Sequence, residues 1–323
     1  GNGGVTSTGG MYDPTTRKWV ATTAVNAPSA RYGATAVWTG TAMIVWGGRD
    51  AANNVVSDGA VFNPVANSWK PMTNTGAPPA RWRHTAAWAG DKMVVFGGND
   101  NSDQINSGGR YDPVADSWTA TASIPIPSAT RERHTMVWDD VNSRILVYGG
   151  FGDIASPVNI YFPDAGVPGG RRYDPVANTW DVLTPQTGEP SARAEHTAVW
   201  DGARLLVFGG TNGGGNYFSN GFKFEGGWSA FNGTPPDARS NHTAVWVKTP
   251  ARMFVFGGRD QNGVLDTGGV YDPAANTWEA PLPTIVTGRS EHTAVSTDST
   301  MIIWGGVDKN NTRLSDGAVY THP

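Results

Sequence analysis

Apolar residues along this chain fall in short runs, such as MIVW at 43–46, separated by polar stretches rich in Gly, Asn and Asp. Runs of that length bounded by turn residues predict β-strands, and they fall far short of the roughly 20 apolar residues of a membrane-spanning helix. The pattern also repeats. The segment RYGATAVW at 31–38 returns as RWRHTAAW (81–88), RERHTMVW (131–138), RAEHTAVW (193–200), RSNHTAVW (239–246) and RSEHTAVS (289–296). The starting arginines stand 50, 50, 62, 46 and 50 positions apart, so the copies differ only by loop insertions. A period of that size marks a propeller or another repeat array.

Each copy continues into a second apolar run that stops at a glycine pair: MIVWGG, MVVFGG, ILVYGG, LLVFGG, MFVFGG and MIIWGG. A third element, GGRYDPVADSW at 108–118, recurs as GGRRYDPVANTW and GGVYDPAANTW, with a degenerate copy around Phe222 to Trp228. Asp-Pro followed by Asn or Asp is turn chemistry, because Pro fixes φ and Asx side chains bond nearby amides. That element is therefore a hairpin, and each repeat holds four short strands, the content of one propeller blade.

The glycine pair, the Tyr shortly before a Trp and the Asp-Pro between them resemble the kelch repeat, and they do so over nearly the whole chain. The resemblance implies an all-β, six-bladed kelch-type β-propeller with four antiparallel strands per blade, formed by residues 1–323 as one domain. Counting elements gives six strands of each kind except the Tyr-Asp-Pro type, of which there are seven. That count implies circular closure: residues 9–20, with Trp19, pair with the C-terminal segment and complete the blade begun at Arg289, leaving one strand surplus.

Composition narrows the function. The formal net charge is −4 with both signs interspersed, and no basic stripe offers the phosphate neutralisation that nucleic acid requires. Cysteine is absent, which excludes disulfides, thiolate catalysis and Cys-ligated zinc. A chain opening on Gly1 is expected to have been processed or trimmed. Scarce Lys with abundant Gly, Thr, Asn and Trp suggests a secreted bacterial protein, extracellular or periplasmic.

Fourteen Trp residues resemble a binding surface until they are placed in the repeat. Trp19, Trp69, Trp118, Trp180, Trp228 and Trp278 share one position, and Trp38, Trp88, Trp138, Trp200 and Trp246 another, as core residues would. Trp82 lies outside both series and is a contact candidate. His84, His134, His196, His242 and His292 occupy one position, with Ala34 in the first copy. A shared ion would sit several Å from each member of such a ring, against the 2.0–2.1 Å or so that Zn–N bonds need, so these histidines read as structural and no metal or other cofactor is expected. The polar loops after the glycine pairs do not fit a calcium loop and read as solvated turns. An insertion from Phe151 to Pro168 carries Phe151, Tyr161 and Phe162, and is a candidate recognition loop.

In kelch interaction domains that resemble this one, arginines matching Arg31, Arg81, Arg131, Arg193, Arg239 and Arg289 project into the funnel and bind acidic peptide groups. The competing role is pairing within the scaffold. Strand alternation places the third residue of each R-x-x-H-T beside the Arg. Those residues are Gly33, Arg83, Arg133, Glu195, Asn241 and Glu291, which predicts an asymmetric funnel whose anion-attracting side lies at Arg83 and Arg133. The expected function is noncatalytic recognition of a peptide, glycan or protein ligand with an anionic group. The alternative is a carbohydrate-active enzyme, epimerase- or lyase-like, using Glu195, Glu291, His196 and His292. The copper-radical sugar oxidases that share this fold need a thioether-linked Cys, so their chemistry is excluded.

Overall fold

The computed structural model describes residues 6–124, 130–155, 158–163, 169–184, 186–279 and 281–322. Six blades form a propeller. Blade one is the antiparallel sheet Thr35–Trp38, Met43–Trp46, Gly59–Asn63 and Ser68–Pro71. Blades two to five repeat this order, with inner strands at Thr85–Ala89, Thr135–Asp139, Thr197–Trp200 and Thr243–Val247. Blade six contains Thr293–Ser296, Thr300–Trp304 and Gly317–Thr321.

The Tyr-Asp-Pro hairpins close as their chemistry predicts. Asp112 Oδ1 accepts the amides of Val114 and Ala115 at 2.9 and 3.0 Å, and Asp174 and Asp272 do the same for their turns. Four residues later the chain turns left-handed, at φ 50° for Asp116, 56° for Asn178 and 53° for Asn276. Asn and Asp tolerate that region better than other side chains. The Asp116 carboxylate also accepts the Tyr111 hydroxyl at 2.7 Å and the Thr73 amide of the preceding blade at 3.0 Å, so one residue ends a turn and joins two blades.

The core is divided among the seams between blades. Because side chains alternate along each strand, Ile44 and Trp46 face blade two and meet Met93, Val95, Tyr111 and Trp118. Four further clusters fill the seams from blade two to blade six. Across each of these five seams the aromatic before the glycine pair meets an aromatic of the next blade; Trp46–Trp118, Phe96–Trp180, Tyr148–Trp228 and Phe208–Trp278 have centroids 4.6 to 5.4 Å apart.

The termini meet in a different way from the expected strand pairing. Lys18–Ala21 pairs with Gly10–Asp13, in the register Tyr12↔Trp19, and the sheet of blade six ends at Gly317–Thr321. Both Gly10–Asp13 and Gly317–Thr321 are strands of the Tyr type, and the former is joined to its partner by a short turn around Asp13. Closing that turn costs far less chain entropy than pairing across the molecule. The hairpin instead touches its neighbours by side chains: the Trp19 and Trp304 rings lie 4.4 Å apart, and Trp69 Nε1 donates to Thr23 O at 3.1 Å.

Candidate functional site

The six repeated arginines are clasps, not ligands of the funnel. Arg81, Arg131, Arg193, Arg239 and Arg289 are fully buried, and the Arg31 side chain nearly so. Arg239 shows the pattern: Nε donates to Asp237 O at 2.8 Å, Nη1 to Gly257 O at 2.9 Å and to Thr267 O at 2.8 Å, and Nη2 to Thr267 Oγ1 at 3.1 Å. The first glycine of each pair has φ between 63° and 71°, and its carbonyl accepts from the guanidinium. A planar fork with five donors suits carbonyls converging from several strands. Buried and bonded in this way, these arginines take the competing role, pairing within the scaffold.

The third motif residues do face the funnel, for a reason other than strand alternation. Gly33, Arg83, Arg133, Glu195, Asn241 and Glu291 all have positive φ, from 51° to 64°, so the chain kinks there and swings each side chain away from the buried Arg. Their amides form a chain around the mouth: Arg133 N donates to Arg83 O, Glu195 N to Arg133 O, Asn241 N to Glu195 O and Glu291 N to Asn241 O, at 3.1 to 3.4 Å.

At the mouth lies a cavity of 620 Å³ lined by Tyr32, Trp82, Arg83, Arg133, Glu195 and Glu291, among others. Its arginines are largely neutralised. Glu132, whose side chain is buried, accepts Arg83 Nη1 at 3.2 Å and Arg133 Nε at 3.1 Å, and Arg133 Nη1 also bonds Glu195 Oε1. Glu195 Oε2 accepts Asn241 Nδ2 at 2.8 Å and Ser240 Oγ at 3.2 Å. Burial and the adjacent Arg133 cation lower the pKa of the Arg83 guanidinium. The predicted anion-attracting pair therefore belongs to a network of balanced charge. Glu291 is exposed at the opposite side.

An unbalanced cation lies one blade away. Trp82 is sandwiched between two guanidiniums, with Arg49 Cζ 3.7 Å and Arg83 Cζ 3.8 Å from its ring centroid. Arg49 Nη2 bonds Asn101 Oδ1, and among the described residues no carboxylate lies within ion-pair distance of Arg49. Tyr32 meets Trp82 edge-on at 6.2 Å and donates its hydroxyl to Asn53 Oδ1 at 2.7 Å. Sequence reasoning found Trp82 but missed Tyr32, Arg49 and Glu132. Tyr32, Trp82 and Glu132 share the second motif position, where Ala194, Ser240 and Ser290 follow; that variation was a readable signal.

The histidines line the channel below the mouth, each with Nε2 on the threonine hydroxyl of the preceding blade at 2.6 to 2.9 Å. Burial, then the neighbouring clasp arginine, lowers the pKa of His84 and His196 to about 3 and that of His292 to about 4. In the post-glycine loops, Asp50, Asp100, Asp260 and Asp308 each accept two nearby backbone amides, so they shape turns. In the long insertion, Phe151–Ala155 pairs with Val158–Tyr161. The buried Phe162 ring covers Arg131, 4.5 Å from Cζ. Phe151 joins blade three through backbone bonds with Glu132; the Tyr161 side chain lies outside the described residues.

Residues 1–210 and 169–322 match the KLHDC2/KLHL20/DRC7 Kelch-repeats domain. Kelch domain-containing protein 3 of Bos taurus is 26% identical over 213 residues, covering 61% of this chain and 52% of that protein. The Rab9 effector protein with kelch motifs of Gallus gallus is 29% identical over 153 residues, 44% of this chain and 41% of that protein. The flagellar outer arm dynein alpha chain of Chlamydomonas reinhardtii is 26% identical over 185 residues, 52% of this chain but 4% of its own. The chain thus spans about half or less of the length of these relatives, all of them eukaryotic. With six blades built on one motif and a family match across both halves, this chain belongs to the kelch-repeat domain family.

Proposed function

We propose that this chain is a noncatalytic recognition module that takes an acidic segment of a partner protein on its funnel face. The observation that carries this reading is the Arg49–Trp82–Arg83 stack, half-exposed at the mouth, in which Arg49 has no carboxylate partner among the described residues. Trp, Tyr and Arg are the side chains that most often dominate binding surfaces, and here Asn53 holds Tyr32 and Asn101 holds Arg49 in place. The name of the Gallus gallus relative, an effector, supports a protein rather than a glycan partner. The enzyme alternative has less support: both carboxylate oxygens of Glu195 are engaged, and His196 and His292 are buried against threonines. An extracellular or periplasmic setting rests on composition alone.

Selection from a displayed random-peptide library tests the proposal. Enriched peptides are expected to carry Asp or Glu, and Arg49→Gln to weaken them about tenfold or more, the loss of roughly one charge-assisted contact. Arg49→Gln removes charge without stranding a buried partner, so the melting temperature should hold. Peptides free of acidic residues, or binding indifferent to Arg49→Gln, would defeat the reading.

A further inference from the structure

Five seams of the propeller are sealed alike, and the sixth, from blade six to blade one, is not. At each sealed seam the first glycine's Cβ position faces the next blade's histidine ring, with Cε1 2.6 to 2.7 Å away at Gly47, Gly97, Gly149, Gly209 and Gly257. At Gly305 nothing among the described residues comes nearer than Leu314 O at 3.7 Å, where the other seams hold a histidine ring. The second glycine's amide donates to the next blade's Arg carbonyl at 2.8 to 2.9 Å in blades one to five; among the described residues Gly306 has no such bond. Among the described residues Thr293 Oγ1, equivalent to the five threonines that meet a histidine, bonds only its own sheet, at Trp304 O 3.4 Å away.

The apolar faces agree. Val295 is 60% exposed where Val37, Val199 and Val245 are 7 to 9%, and Trp304 is 39% exposed where Trp46, Phe96, Tyr148, Phe208 and Phe256 are 0%. On the far side, Met43 and Val45 of blade one are half-exposed where Met93 and Val95 are buried. The outer part of the wedge is filled. Trp19 stands to Trp304 as Trp118 stands to Trp46, and Thr23 stands to Trp69 as Thr73 stands to Trp118. The N-terminal hairpin therefore occupies the outer half of a ring position of its own. In blades one to five the strand equivalent to Gly10–Asp13 pairs inward with a glycine-pair strand; among the described residues Gly10–Asp13 pairs only with Lys18–Ala21.

We propose that the wedge between blades six and one is a docking slot for a two-stranded β-hairpin of the repeat's own kind, supplied by polypeptide outside these 323 residues. The slot specifies its occupant. One strand must add to the inner edge of Gly10–Asp13, as strand addition to an open edge does elsewhere. The other must carry an Arg whose carbonyl takes the Gly306 amide and, three residues on, a His for Thr293 and the space at Gly305. Its apolar side must cover Val295 and Trp304. A second copy of this chain is a poor occupant, because its hairpins of this kind are already built into blades.

Because the chain has no cysteine, Val295→Cys introduces a unique thiol on the open face. It should react with a thiol reagent near the rate of a free thiol, while Val245→Cys, at the equivalent place in a sealed seam, reacts slowly. The test then adds a copy of residues 63–98 after Thr321, or the peptide of residues 81–98 in trans. Either should slow modification of Val295→Cys about a hundredfold, and the joined form should raise the melting temperature by about 5 °C or more. The same hairpin with His84→Ala and Arg81→Ala should protect far less. A thiol already protected in the unextended chain overturns the proposal, with sedimentation showing whether a second copy covers it. Failure of both hairpin forms to protect overturns it too.

Discussion

Acidification from pH 7 to pH 5 should unfold this protein, with a midpoint near pH 5. The five channel histidines are held neutral by burial, two at about 3, one at about 4 and His134 and His242 well below their usual range. Each folded-state value is depressed, so below the unfolded value of about 6.5 the unfolded chain binds protons that the folded chain refuses. Five such groups lower stability by about 7 kcal/mol per pH unit, fully below pH 6, and by about 10 kcal/mol in total at pH 5. That is comparable to the whole stability of an ordinary domain, about 5–15 kcal/mol. The aspartates whose values are lowered, such as Asp112 and Asp174, act below about pH 5, where their unfolded forms begin to take protons. The window is therefore set by histidine. Urea midpoints measured from pH 7 to pH 5 report the slope, and His242→Gln should reduce it by about one fifth. A protein still folded at pH 4 would show that the rings accept protons in place.

Loss of a single clasp should be the most damaging substitution on this face of the molecule. Arg239→Ala removes four donors from buried acceptors at once and leaves the Gly257 and Thr267 carbonyls without them. A cost of about 3–5 kcal/mol follows from breaking a buried charged network, or a drop of roughly 10 °C in melting temperature. Arg239→Lys should recover little, since one ammonium cannot reach Asp237 O, Gly257 O and Thr267 O together. Arg49→Gln, at the funnel mouth, serves as the contrast. If Arg239→Ala costs less than about 1 kcal/mol, typical of an exposed pair, the clasp reading is wrong.

The scaffold was legible because blades repeat: RxxHT, the glycine pair and Tyr-Asp-Pro mark strands that pack alike. The site was legible only in part. An Arg at a strand start is equally suited to a backbone clasp and to a ligand, and residue type alone does not separate them. Alternation placed Arg83, Arg133 and Glu195 in the funnel, yet by a premise that fails, since a left-handed kink turns them there. Glu132 escaped notice because it occurs once, and neutralisation of two arginines by one buried carboxylate is visible only in three dimensions. The count of seven Tyr-type strands was correct, but a count cannot tell which of two equivalent strands Trp19 will join.

The amide chain around the mouth has a bearing on how such a surface diversifies. Its hydrogen bonds run from backbone to backbone, and every residue along it holds φ near 55°, whatever side chain it carries. Arg, Glu and Asn already occupy these places in one chain. The ring of positions 83, 133, 195, 241 and 291 is thus a natural site for combinatorial randomisation: β-branched residues excluded, since they fit that backbone poorly, and proline, whose φ is fixed negative and which lacks the donated N–H, the rest can be varied to recruit new ligands, with Glu132 varied alongside the Arg83 and Arg133 that neutralise it.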